Sequence, residues 1–153
     1  MHSLLIALHA GTGVIAMLTG GVALFRGGRL FHTYLGSLAA TTLFLALAVA
    51  AEWSVLDAGS RVLFTAFTVL AVVMVVRGVL ARRLLPRSPA YLEHVGFTLI
   101  ALFDAFVVIA VLNAGAPVWL VVVSGVLIAV AGHFALRATK RALAGEQRSP
   151  APV

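Results

Sequence analysis

Five apolar runs, each long enough to cross a bilayer, dominate this chain and leave little choice of fold. They cover residues 4–25, 34–51, 62–80, 95–112 and 118–136. A helix rises about 1.5 Å per residue, so roughly 20 mainly apolar residues cover about 30 Å of hydrocarbon. The period-2 alternation of a membrane β-strand is missing, so the abundance of Val and Ile does not decide the matter. Helices satisfy their own backbone groups in lipid, which leaves them as the spanning element. Turn and charge signals end the runs: Gly27-Gly28, Asp57-Ala58-Gly59-Ser60, Pro86-Arg87-Ser88-Pro89 and Asn113-Ala114-Gly115-Ala116-Pro117.

Composition closes the alternative of a water-soluble domain. The 153 residues are 62% hydrophobic and 10% charged, with a mean hydropathy of +1.11, whereas soluble domains devote about a quarter of their residues to charge. The reading is therefore one all-α domain over residues 1–144, a five-helix transmembrane bundle. A polar, proline-containing tail at 145–153 is read as disordered. The first run opens at Leu4 with no basic region before it and outlasts a signal-peptide core, so it is read as a retained span. Five spans do not divide into equal inverted halves, which argues against a transporter built from inverted repeats.

Charge gives the orientation. Arg26 and Arg29 lie in the first connection, and Arg77, Arg82, Arg83 and Arg87 lie at or in the third. Arg137, Lys140, Arg141 and Arg148 follow the fifth run, so ten of the eleven basic residues share one side and Arg61 alone is opposite. Positive-inside places the C-terminus in the cytoplasm and the N-terminus outside, in the cell's plasma membrane. Trp53 and Trp119 then suit an outer aromatic belt. The net charge of +6 flanks the spans instead of forming a nucleic-acid face. Arg82, Arg83 and Arg87 form a patch for anionic lipid headgroups, and Arg77 can snorkel to the inner surface.

Few side chains are left to carry chemistry. Cysteine is absent, which excludes disulfides, iron–sulfur clusters and thiol catalysis. No nucleophile elbow, phosphate loop, H-E-x-x-H or carboxylate pair is present. His32 and His94 sit just before the second and fourth runs, and His133 sits near the end of the fifth, so all three reach the inner boundary. Two neutral imidazoles from different helices can hold a b-type haem, with Gly36, Gly96 and Gly132 leaving room for the macrocycle. His32 with His94 is the preferred ligand pair and His133 the alternate. The plainer reading is that such histidines anchor and cap helices at the interface.

The first run holds a second pattern. His9, Gly13, Ala16 and Gly20 fall on one helical face at spacings of four, three and four. The small residues let another helix approach closely. An ionisable ring in that stripe should face the bundle interior. Asp104, roughly 14 Å into the fourth run, is the most informative residue. A lone carboxylate there must be protonated, paired or watered. His9 is its candidate partner, and Thr12, Thr19, Thr41, Thr42 and Thr98 can add hydrogen bonds. A proton relay, a quinone contact or a cation site stands against a buried hydrogen bond between helices.

H-A-G-T-G at 9–13 and G-G-R-L-F-H-T-Y-L-G at 27–36 resemble a group of uncharacterised bacterial polytopic membrane proteins with a domain of unknown function. E-H-V-G-F-T-L-I-A-L-F-D-A-F-V-V at 93–108 and N-A-G-A-P-V-W at 113–119 extend the resemblance over more than half the chain. It implies a membrane bundle and no activity. The histidines at helix ends also look like those of small membrane-bound b-type cytochromes, a likeness that reaches only His32 and His94. Three functions follow as expectations: a small helical membrane subunit or bundle, packed through its glycine stripes in a homo-oligomer or larger complex; a haem protein passing electrons to or from quinone; and a proton-coupled carrier using His9 and Asp104.

Overall fold

A computed structural model describes residues 2–146. Among them are five helices and no strand: α1 His2–Phe25, α2 Phe31–Glu52, α3 Ala58–Ala81, α4 Pro89–Asn113 and α5 Val118–Glu146. They run from 22 to 29 residues, and all five are long and apolar enough to cross a membrane. The expected runs all fall inside these helices, and all five helices outlast their runs, α4 and α5 by the most. α4 begins at Pro89 instead of 95, because Ser88 accepts from the Tyr91 N–H at 3.2 Å and Pro89 needs no partner in the first turn. α5 runs past 136 to Glu146, so Gly145 and Glu146 are helical and not the start of a tail. Residues 147–153 of the expected tail lie outside the described residues. Hydropathy locates the greasy part of a helix, whereas capping locates its ends.

Short turns force neighbouring helices to run antiparallel. Between α1 and α2 the backbone passes through left-handed geometry at Gly27, Gly28 and Leu30, with φ of 65°, 84° and 60°. The Gly28 N–H donates to Ala23 O at 2.8 Å and closes the end of α1. This turn meets the α3–α4 connection: Arg87 donates from Nη2 to Phe25 O at 2.6 Å, and a Cβ on Gly28 would lie 3.2 Å from Pro86 Cγ. At the opposite end Asp57 caps α3, accepting from Ser60 N at 3.1 Å and Ser60 Oγ at 2.6 Å. There the Arg61 guanidinium sits 5.6 Å from the Trp53 ring.

Helices α1 to α4 close into a ring, α1 against α2, α2 against α3, α3 against α4 and α4 back against α1. α5 approaches α4 and no other helix among the described residues. With little hydrophobic drive between helices in lipid, close packing and buried hydrogen bonds decide association. The interior is built accordingly: Ala16, Ala23, Tyr34, Leu38, Val95 and Thr98 are fully buried. Tyr34 pairs with the Thr98 hydroxyl across the ring, Thr98 donates to Val95 O at 2.8 Å, and Tyr91 donates to Ala23 O at 3.2 Å. Phe31 lies tilted between the two tyrosines, its ring centre 5.6 Å from that of Tyr34 and 5.9 Å from that of Tyr91. These hydroxyls have no water to turn to, so pairing them sets the register of α2 and α1 on α4.

The stripe expected on α1 is internal. A Cβ on Gly13 would stand 3.1 Å from Phe106 of α4, and one on Gly20 would stand 2.8 Å from Leu99 of α4 and Tyr34 of α2. Ala16 lies between them at zero exposure. Within the chain, therefore, this face packs against α2 and α4, leaving it unavailable as a surface for a second copy.

Candidate functional site

Because α5 leans on α4 alone and α3 packs on another side of α4, a cleft of about 500 Å³ opens between α3 and α5 with α4 as its floor. Helical spacing sets its walls. α4 presents Glu93, Phe97, Ala101 and Asp104, and α5 presents Ala129, His133, Arg137 and Lys140, each set advancing three or four residues at a time. α3 adds Leu70 and Arg77. The α4–α5 contact is tight because glycines allow it: a Cβ on Gly132 would lie 2.5 Å from Ile100 Cγ2, and one on Gly96 would lie 2.6 Å from Leu136 Cδ1.

Charge gathers at one end of this cleft. Lys140 donates to Glu93 Oε2 at 2.9 Å, and Arg77 Nη2 lies 4.0 Å from Glu93 Oε1. Arg77 also donates from Nε to His94 Nδ1 at 3.3 Å and places its guanidinium 4.3 Å from the centre of the Phe97 ring. Arg137 joins them on α5, so three cations face one carboxylate at the mouth. Such pairs are worth about 0–1 kcal/mol in water, and Glu93 is 54% exposed, so the network orients the side chains more than it stabilises the fold.

The other end is apolar except for one group. Asp104 faces Leu70, Ala101 and Ala129. It rests against Gly125, whose added Cβ would be 3.5 Å from Oδ1. Asp104 Oδ1 is sealed from solvent and has no hydrogen-bond partner. From Glu93 to Asp104 is about 16 Å along the helix.

The residues singled out from the sequence are distributed differently from expectation. His9 and Asp104 do not meet. His9 donates from Nδ1 to Thr41 O of α2 at 3.0 Å, beside a Thr41-to-Thr12 hydroxyl bond of 2.9 Å. Phe106 faces α1 at Gly13, and two residues of helix turn Asp104 about 200° away from it, toward α5. Thr19 donates back into its own helix at Ile15 O, and Thr42 donates to Leu38 O. The polar site expected from His9 and Asp104 is thus two separate places.

The histidines proposed for haem also separate. His32 is exposed while its neighbours Phe31 and Tyr34 point inward, its ring edge-on to Phe31 at 6.4 Å. His133 is exposed in the cleft with its ring 5.9 Å from Phe134. His94 accepts from Arg77 at Nδ1, so that nitrogen is already engaged. These positions fit a haem poorly: one ring points away from the interior and the other is engaged. Among the described residues no group of three or more His, Asp or Glu could hold a metal ion.

Sequence reasoning missed the mouth of the cleft. Glu93 had no assigned part, Lys140 was counted only as flanking charge, and Arg77 was read as snorkelling to the inner surface. The signal was present as a one-face ladder on α5, where His133, Arg137 and Lys140 recur at helical spacing. Compared with protein-family models, curated proteins and solved structures, the chain matches none.

Proposed function

We propose that this chain is a multi-pass membrane protein of the plasma membrane that holds an amphiphile with an anionic head group in the α3–α4–α5 cleft. The observation that carries this reading is the polarity of the cleft. Three cations, Arg77, Arg137 and Lys140, stand against Glu93 at one end, while Leu70, Ala101 and Ala129 line the other. Among the described residues α3 and α5 do not meet, so an acyl chain dissolved in the bilayer can enter from the side. The head group would take its charge partners from Arg137 and Lys140, its acyl part the apolar wall.

The basic connections put this mouth on the cytoplasmic side, with the N-terminus outside. Exposed Arg82 and Arg83 extend the same positive surface, and Arg87, anchored on Phe25 O, borders it. The resemblance to uncharacterised polytopic membrane proteins implies a membrane bundle and assigns it no chemistry. A haem-based electron carrier is less well supported, because Arg77 already occupies His94.

Reconstitution tests the proposal. Native mass spectrometry of protein from nanodiscs should show phosphatidylglycerol retained over phosphatidylcholine. In the Arg137→Ala/Lys140→Ala protein that retention should fall about tenfold, the equivalent of roughly 1.4 kcal/mol. Arg61→Ala, at the opposite end, should leave it unchanged. Equal retention in all three proteins rules out the cleft as the binding site.

A further inference from the structure

The cleft has a second end whose chemistry an anionic head group does not use. We propose that Asp104 is a proton-binding site that exchanges protons through the cleft with the side of the membrane bearing the 82–88 connection. The proposal concerns the cleft while no amphiphile occupies it and rests on its geometry alone, so the two describe alternate occupancies and are tested separately.

Asp104 lies well inside α4, fifteen residues after Pro89 and nine before Asn113. An unpaired carboxylate charge at such depth is costly, so the group takes up a proton unless a cation or a donor reaches it. No donor reaches its buried Oδ1 among the described residues. The groups facing it from each packed element make the direction of supply plain. On α3, Leu70 is at its level and Arg77 is at the mouth. On α5, His133, Arg137 and Lys140 climb from the mouth toward it, and small Ala129 and Gly125 complete the approach. On α4 itself, Glu93 is held by Lys140 and His94 by Arg77. On α1, His9 faces α2 and is cut off by the Phe106 side of α4. The polar side chains nearest Asp104 therefore lie in one direction only, down the cleft toward the mouth, and end at His133.

Distance and volume suit water as the carrier. His133 lies about 12 Å along α5 from the Gly125 level and about 10 Å from Lys140. A volume of about 500 Å³ admits several waters at roughly 30 Å³ each, enough to bridge such gaps. The proton arrives at a carboxylate oxygen of Asp104 and leaves by the same route; no bond to carbon changes.

Carbodiimides, which react with the protonated carboxyl, read this out without any assay of function. In the full chain in liposomes, peptide mapping should find Asp104 modified by a hydrophobic carbodiimide. Its rate should fall about tenfold per pH unit once the carboxyl has titrated. A water-soluble carbodiimide should reach Asp104 only from the side on which a cysteine in the 82–88 connection is labelled. His133→Leu and Ala129→Trp should each slow that aqueous reaction while leaving the hydrophobic one in place. The proposal is overturned if Asp104 stays unmodified across the pH range, as a sealed hydrogen bond to α5 would make it. It is equally overturned if the aqueous reagent reaches it from both sides, or if neither substitution slows that reagent.

Discussion

Asp57 is the residue whose electrostatics are simplest, because it lies outside the membrane-spanning segments. The Ser60 hydroxyl and the Ser60 N–H both donate to its carboxylate and hold it below its ordinary value of 3.8. The folded value lies under the unfolded one, so the stabilisation is present above the ordinary value and is lost as pH falls through the lower, folded one. Asp57→Asn keeps a cap but removes the charge. Its thermal midpoint, followed by circular dichroism, should lie below that of the parent at neutral pH and converge with it on acidification. A gap that survives at the acidic end would mean the charge is not the source. The residue scale is also where sequence reading divided. Asp104 was legible as an acid in an apolar run, because composition alone exposes it. Its pairing with His9 was not, because spacing gives depth within each helix but not rotation of one helix against another. Phe106 turned toward α1, and Asp104 went the other way.

At the scale of elements, glycine placement decides which helices touch. Gly132 and Gly96 let α5 settle onto α4, and Gly78 lets α3 settle onto Leu35 of α2, where an added Cβ would be 2.9 Å from Cδ1. Gly21 and Gly36 face open space and carry no such duty. Gly132→Val should therefore lower the melting temperature in detergent, with a cost of about 1–3 kcal/mol from overpacking. Gly21→Val should show no comparable loss, since its Cβ meets open space and valine is no worse a helix former than glycine. Adding Ile100→Ala to Gly132→Val should recover much of the loss, since the clashing atoms are those of Ile100. Failure of that rescue would place the contact elsewhere. The existence of five helices was readable from apolar length, but the starts of α3 at Ala58 and α4 at Pro89 were not, because the Asp57 and Ser88 caps set them ahead of the apolar runs. The long reach of α5 was not, because its last turns carry Arg137, Lys140 and Arg141 and no longer look like a span.

For the whole molecule, the ring of four helices with a fifth on its flank explains why an opening exists at all. A symmetrical five-helix ring would cover both sides of α5, whereas here it leans on α4 alone and exposes Val122, Val126, Val130 and Phe134. Orientation is testable at this scale with unusual ease, because the chain contains no cysteine. Single cysteines introduced as Arg83→Cys and Gly59→Cys should be labelled from opposite sides of sealed vesicles, Arg83→Cys from the cytoplasmic one. Labelling of Arg83→Cys from outside would invert the topology and move the charged mouth to the outer face.

Apolar length and turn residues determined that this chain makes five spanning-length helices, because a backbone in lipid has to satisfy itself locally. Charge bias suggested which ends belong together for the same local reason. Tertiary structure decided what local information cannot carry: the rotation of each helix about its own axis. That rotation seated Gly13 and Gly20 inside the ring, and it tied His94 to Arg77 and His9 to Thr41 O. It also left Asp104 alone at the end of a cleft, since side chains a few residues apart on one helix can face opposite neighbours.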